Sequence, residues 1–146
     1  MSVTYIDAIH QAQLDLLRSR VDVFLYGQDI GAFGGAFKAT KGLQEEFPDR
    51  VLDSPISEDA MVGMAIGAAI SGMRPIVEMQ FADFSSIAFN QIVNHAGTHF
   101  YRTGVPVPIT VRLPCGGTPG SGPFHSQMVE ALYGHYPGIV VVTPAT

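Results

Sequence analysis

The chain has 146 residues, of which 47% are hydrophobic and only 14% are charged, and its formal net charge is −5. This length suits one domain, and the composition excludes a disordered chain, a coiled coil and collagen. The eight lysines and arginines form no basic cluster, which argues against nucleic-acid binding because the phosphates would need such a cluster.

Predicted helices and strands alternate along the chain. In chain order they are a helix (residues 4–20, with Thr4 as N-cap), a strand (21–26), a short helix (41–47), a strand (50–53), a helix (58–71), a strand (75–79), a long helix (83–101), a strand (107–113), a helix (126–135) and a strand (139–142). The strands lack period-two polarity, so the sequence predicts an α/β fold with a parallel sheet and helices on both faces. Such a chain normally continues after its last strand, so we expect residues 1–146 to form a domain that lacks its last part.

Glu58 begins the third predicted helix, shortly after the extended backbone that Pro55 imposes. A carboxylate in the first turn of a helix commonly stabilises the helix dipole or completes a cap. Ligands of parallel sheets, however, bind beyond the carboxyl ends of the strands, where helices begin. The sequence therefore predicts either a structural cap or a binding residue at this position.

Two further features follow predicted strands. Four glycines among residues 116–122 precede His125, which is either an exposed loop residue or an acid–base group that works near neutral pH. Phe81 and Phe84 are either ordinary core residues or a platform for a flat heteroaromatic ring.

Other reactive residues carry weaker signals. His95 and His99 lie four residues apart on a predicted helix, but no carboxylate lies between them, so we expect no metal site there. Cys115 is the single cysteine, which excludes a disulfide framework. We expect it to be a small apolar filler rather than a nucleophile paired with His125.

Several motifs occur together in one order, namely GQDIG, GGAFKATKGL, RVLDSPISE, GAAISGMRPIVEMQFADF, FNQIVN, HSQ and YPGIVVVTP. In this order they resemble the beta subunit of the thiamin-dependent 2-oxo acid dehydrogenases, the first component of the pyruvate and branched-chain complexes. The resemblance covers essentially the whole chain. It implies the thiamin diphosphate-binding fold and the N-terminal, pyrimidine-binding (transketolase-like) domain, without the C-terminal transketolase domain.

The resemblance also implies roles for individual residues. The catalytic residues would be Glu58, which hydrogen-bonds N1′ of the cofactor's aminopyrimidine, and His125, which faces the reactive carbon and serves acyl transfer to a lipoyl arm. Besides Glu58, the cofactor would be bound by Gln80, which lines the pyrimidine pocket, by Phe84, which stacks on the ring, and by Ile56, which touches it.

The implied cofactor is thiamin diphosphate, with its diphosphate and Mg²⁺ held mainly by an alpha subunit, so we expect no metal ligand in this chain. The implied partners are that alpha subunit, in an α2β2 heterotetramer, and the lipoyl acyltransferase component, with no nucleic acid and no membrane. The scarcity of charge agrees with a surface buried against a partner. Many relatives carry an acid in place of Gln28, where it is implicated in communication between paired sites, and a glutamine cannot relay a proton in that way.

The implied function is the oxidative decarboxylation of a 2-oxo acid and acyl transfer to a lipoyl domain. The stretches FADF, FNQIVN and LPCGG favour branched-chain substrates over pyruvate. The alternative is a truncated, non-catalytic module that binds a partner subunit and catalyses no reaction. Residues 1–10 lack a basic stretch that leads into an apolar run, so we expect a cytoplasmic protein.

Overall fold

A computed structural model describes residues 3–117 and 119–144. Four strands form one parallel sheet in the order β2-β1-β3-β4, where β1 is Val23–Gly27, β2 is Val51–Asp53, β3 is Arg74–Glu78 and β4 is Thr110–Arg112. The carboxyl ends of all four strands therefore meet at one edge of the sheet. The predicted parallel α/β fold is confirmed.

In the described residues, five α-helices connect or flank the strands, and they are α1 (Tyr5–Ser19), α2 (Leu43–Glu46), α3 (Glu58–Ile70), α4 (Gly97–Thr103) and α5 (Glu130–Gly134). Thr4 caps α1 as predicted, because its hydroxyl accepts a hydrogen bond from the Asp7 backbone N–H at 3.2 Å. No helix in the described part of the chain is long and apolar enough to cross a membrane.

The sheet carries a hydrophobic core on each face. Consecutive residues of β3 illustrate this, since Ile76 packs against one cluster and Val77 belongs to the other. The first cluster lies beneath α3 and includes Met61, Val62, Ala65, Val77 and Met79, and the second lies beneath α1 and includes Leu17, Val23, Leu25, Ile30 and Val51. Coverage of both faces explains why the strands are apolar without alternation.

The predicted helix over residues 83–101 is wrong as a continuous element. The structure has a 3₁₀ helix at Ala82–Ser86 and a π-helix at Gln91–Ala96 before α4 begins. The hydroxyls of Ser85 and Ser86 donate to the carbonyls of Ala82 and Asp83, at 2.6 and 2.9 Å. Such side-chain bonds compete with the α-helical backbone pattern and favour the tighter turn.

The C-terminal elements also differ from the prediction. The helix predicted over residues 126–135 is confined to α5. The predicted strand over 139–142 is wrong, because these residues join no ladder among the described strands and Val140 is 89% exposed. Ile139 packs against the α3-side core instead. A run of β-branched residues becomes a strand only where another strand pairs with it.

Candidate functional site

The loop that follows β1 forms hydrogen bonds near the carboxyl ends of the two strands that neighbour β1, which are β2 and β3. At the end of β2, the backbone N–H of Gly31 donates to Asp53 Oδ1 at 2.7 Å. Beyond the end of β3, Gln80 Nε2 donates to Asp29 Oδ2 at 2.6 Å. One loop thus spans the edge of the sheet where the expected binding residues lie.

Four half-buried rings form an aromatic cluster at this edge, and they belong to Phe37, Phe81, Phe84 and His125. The His125 ring lies 4.8 Å from the centroid of Phe81 and 5.4 Å from that of Phe84, edge to face in both cases. Phe81 also contacts Phe37 at 5.5 Å and Phe84 at 5.8 Å. The structure therefore brings the predicted site residues Phe84 and His125 into contact.

Two hydrogen bonds anchor the segment that carries His125. The buried carboxylate of Asp83 accepts a hydrogen bond from the Gln127 backbone N–H at 3.2 Å. The hydroxyl of Tyr133, on α5, donates to the carbonyl of Ser85 at 3.0 Å. Burial raises the pKa of Tyr133, so this hydroxyl stays protonated and keeps donating well into alkaline solution.

Glu58 is the first residue of α3 and is only 4% exposed. Among residues 3–117 and 119–144, no group donates a hydrogen bond to its carboxylate and no cation pairs with it. The adjacent Ser57 makes no cap, since its hydroxyl donates to the Pro55 carbonyl at 3.0 Å. Unlike the amide of Gln28, its carboxylate oxygens keep some contact with solvent, so a ligand that donates a hydrogen bond can reach them.

The remaining predicted site residues have different environments. Gln80 is half-buried and directly precedes Phe81 in the aromatic cluster, whereas Ile56 is 83% exposed between β2 and α3. Gln28 is only 2% exposed, and neither polar atom of its amide has a partner in the described part of the chain. All three positions follow the carboxyl end of a strand.

Sequence reasoning missed Asp29, Phe37 and Asp83. All three lie within the first residues or the loop after a predicted strand, so the rule that ligands bind at the carboxyl ends of strands could have flagged them. Nothing in the local sequence, however, indicates that Asp29 reaches Gln80, which lies 51 residues further along the chain.

The structure does not support a catalytic or metal-binding role for the remaining cysteine and histidine candidates. Cys115 is exposed in the loop after β4, so the prediction of a small apolar filler is wrong. His95 is exposed and His99 half-buried. Within residues 3–117 and 119–144, no three histidine, cysteine or acidic side chains gather as they would around a metal ion.

Comparison with known proteins gives consistent matches. The whole chain, residues 1–146, matches the family described as "Transketolase, pyrimidine binding domain". It is 48% identical to the 2-oxoisovalerate dehydrogenase subunit beta of Bacillus subtilis, over 100% of this chain and 46% of that protein. It is 42% identical to the mitochondrial pyruvate dehydrogenase E1 component subunit beta of Homo sapiens, over 99% of this chain and 41% of that protein.

A solved structure titled "Split gene transketolase, inactive beta4 tetramer" superimposes with a TM-score of 0.69 at 21% identity, over 89% of this chain and 39% of that one. This match concerns the fold. The chain spans less than half the length of the two curated relatives described above. These relatives confirm the predicted resemblance to 2-oxo acid dehydrogenase beta subunits, and the chain belongs to the transketolase pyrimidine-binding domain family.

Proposed function

We propose that this chain forms the pyrimidine-binding part of a beta subunit that takes part in thiamin diphosphate-dependent oxidative decarboxylation of a 2-oxo acid. The family match and the names of the relatives support the general class. The observation that carries the proposal is Glu58, a carboxylate 4% exposed that no described group neutralises or hydrogen-bonds. An aminopyrimidine ring would supply the missing partner, because one of its ring nitrogens can share a proton with the carboxyl group.

The residues at this edge of the sheet fit such a cofactor. Glu58 would hold a proton shared with a ring nitrogen, and its burial would strengthen that hydrogen bond. When bound, thiamin diphosphate supplies the electron sink that decarboxylation of a 2-oxo acid requires. Phe84 would present its ring to the pyrimidine, Gln80 would line the pocket, and Ile56 would contact the ring from the end of β2.

His125 would be the acid–base group of acyl transfer to a lipoyl domain. Its ring packs edge to face against Phe81 and Phe84, which restricts the directions in which the two imidazole nitrogens can point. A histidine held in this way can give or take a proton at a fixed place.

The proposal includes partners from outside this chain. An alpha subunit would hold the diphosphate and most of the Mg²⁺ coordination, in an α2β2 heterotetramer, and a lipoyl acyltransferase would accept the acyl group. We favour a branched-chain 2-oxo acid over pyruvate because of the stretches FADF, FNQIVN and LPCGG. Comparison of kcat/KM for the two substrates in the complete enzyme tests this preference, and a larger value for pyruvate would contradict it.

The test of the proposed function is the Glu58→Gln variant, assembled with its alpha partner in the complete enzyme. Decarboxylation should fall by about 10²–10⁴-fold, as expected when a residue that manages a proton is lost, while circular dichroism and assembly stay unchanged. Glu45→Gln is the matched control because Glu45 is an exposed residue of α2. Wild-type activity in Glu58→Gln would contradict the proposal.

A second outcome distinguishes the alternative function. If the wild-type chain assembles with the alpha subunit but the assembly neither binds thiamin diphosphate nor releases CO₂, the chain is a non-catalytic interaction module. Calorimetric titration of the assembly with thiamin diphosphate measures this directly.

A further inference from the structure

We propose that Asp29 is a positioning residue that fixes the orientation of the Gln80 side-chain amide, so that its carbonyl oxygen remains available to a bound ligand. This inference rests on the proposed function, because it takes the ligand to be the aminopyrimidine of thiamin diphosphate. It adds a residue to which the sequence assigned no role.

The chemistry of the two side chains decides the orientation. Gln80 Nε2 lies 2.6 Å from Asp29 Oδ2. An ionised carboxylate accepts hydrogen bonds and donates none, so only the NH₂ end of the amide can face it. Flipping the amide would place two oxygens at hydrogen-bond distance with no proton between them. The carbonyl oxygen of Gln80 is thereby turned away from Asp29.

That carbonyl oxygen is free to bind something else. Among residues 3–117 and 119–144, no group donates a hydrogen bond to Gln80 Oε1. An acceptor at this place fits a ligand with an N–H donor, such as the amino group of a heteroaromatic ring. Without the hydrogen bond to Asp29, the Gln80 amide could present either its NH₂ or its oxygen to the ligand. In part of the population the ligand's N–H would then face the NH₂ group, which cannot accept its hydrogen bond.

Asp29 is itself held by the backbone. Its φ angle is 57°, in the left-handed region, and its carbonyl accepts a hydrogen bond from the Gly35 N–H at 2.7 Å. Aspartate tolerates this conformation better than most residues. The carboxylate therefore projects from a defined turn, and its position does not depend on the ligand.

Gln80 is equally well anchored on the other side of the contact. The Met79 N–H donates to the Arg112 carbonyl at 3.2 Å, and the Ala82 N–H donates to the Pro114 carbonyl at 2.8 Å. The intervening Phe81 ring lies 4.8 Å from that of His125. The hydrogen bond that holds Gln80 therefore lies directly beside the aromatic cluster.

The test is thiamin diphosphate binding by the complete assembled enzyme, measured by calorimetry for Asp29→Ala, Gln80→Ala and the double variant. We expect Asp29→Ala to raise the Kd by up to about tenfold, because the released Gln80 side chain presents its oxygen to the ligand in only a fraction of the population. The double variant should bind no more weakly than Gln80→Ala, because Asp29 acts through Gln80. The KM for the cofactor should rise by a similar factor, while kcat at saturating cofactor falls less.

Two further variants sharpen the test. Asp29→Asn should recover only part of the affinity, because its side-chain amide can either accept from Gln80 Nε2 or donate to Gln80 Oε1 and so no longer fixes one orientation. Asp15→Ala is the matched control, since it removes another bond of the same type, from Gln11 Nε2 at 2.8 Å, on the exposed surface of α1. It should leave the Kd unchanged.

The outcomes separate this inference from the proposed function. If the wild-type assembly does not bind thiamin diphosphate, the proposed function fails and this inference fails with it. If the wild type binds and Asp29→Ala binds equally well, the inference alone is overturned. Additive losses of affinity in the double variant would also overturn it.

Discussion

Two glutamates of the described chain are almost equally buried, yet their surroundings differ. Glu78, at the end of β3, is 3% exposed and faces Arg112, whose Nε donates to Oε2 at 2.9 Å. Glu58 is 4% exposed and has no such partner among the described residues. Burial of a charge is tolerated when it is paired, which accounts for Glu78, and the lack of a described partner is the reason for proposing that Glu58 contacts the cofactor.

Tyr133 supports the segment of His125, and its role can be tested through pH. Tyr133→Phe should destabilise the assembled protein by about 1 kcal/mol at neutral pH, because the Ser85 carbonyl loses its donor. The pKa of Tyr133 is raised in the folded state by burial. Its contribution is therefore fully present below the unfolded pKa of about 10, and it is lost as the pH rises through the folded value.

The measurement is the thermal midpoint as a function of pH, for Tyr133→Phe and for the exposed control Tyr101→Phe. The difference between Tyr133→Phe and wild type should shrink above about pH 10. Parallel profiles at all pH values would show that Tyr133 titrates as it does in the unfolded chain.

At the scale of elements, the start of α4 depends on one close contact between two glycines. Gly138 has a φ of 80°, and a Cβ placed on it would overlap the carbonyl oxygen of Gly97. Gly138→Ala should therefore destabilise the protein by at least about 2 kcal/mol, from backbone strain and steric overlap together.

Gly104→Ala is the matched control for this prediction. Gly104 ends α4 with a φ of 74°, but apart from its own chain neighbours no described residue lies within 4 Å of the place that a Cβ would take there. It should lose about 1 kcal/mol, the cost of the left-handed conformation alone. Urea denaturation of the assembled protein measures both variants, and equal losses would contradict the role of the Gly97 contact.

The elements also show how far local sequence signals reach. The Thr4 cap and the apolar run of β1 are local, and the sequence predicts both closely. The break at Ala82–Ser86 arises from serine hydroxyls that prefer the backbone, and the absence of a strand at 139–142 reflects a missing neighbour among the described strands. The spacing and composition of the residues do not show where a side chain bonds to the backbone or which segments pair as strands.

The candidate site also combines features that local sequence predicts with contacts that depend on the whole fold. The position of Glu58 at a helix start is predictable, because Pro55 and the apolar helix after it are adjacent in sequence. The contact of Asp29 with Gln80 and the packing of Phe37 on Phe81 join distant segments. These contacts depend on the order of strands in the sheet, which the sequence leaves open.

At the scale of the whole molecule, scarce charge and exposed apolar side chains agree with a surface that another chain covers. Segments next to the candidate site expose large apolar side chains, namely those of Ile56, Ile87, Phe124 and Met128. An alpha subunit placed there would cover these side chains and close the site around Glu58. The tests of the proposed function therefore use the assembly with this proposed partner.

The most direct measurement is a crystal structure of the complete assembly with thiamin diphosphate bound. We expect a carboxylate oxygen of Glu58 to lie about 2.7–2.9 Å from a nitrogen of the aminopyrimidine ring, the distance of a charge-assisted hydrogen bond. A Glu58 side chain that turns into solvent, or that pairs with a lysine or arginine away from the cofactor, would contradict it.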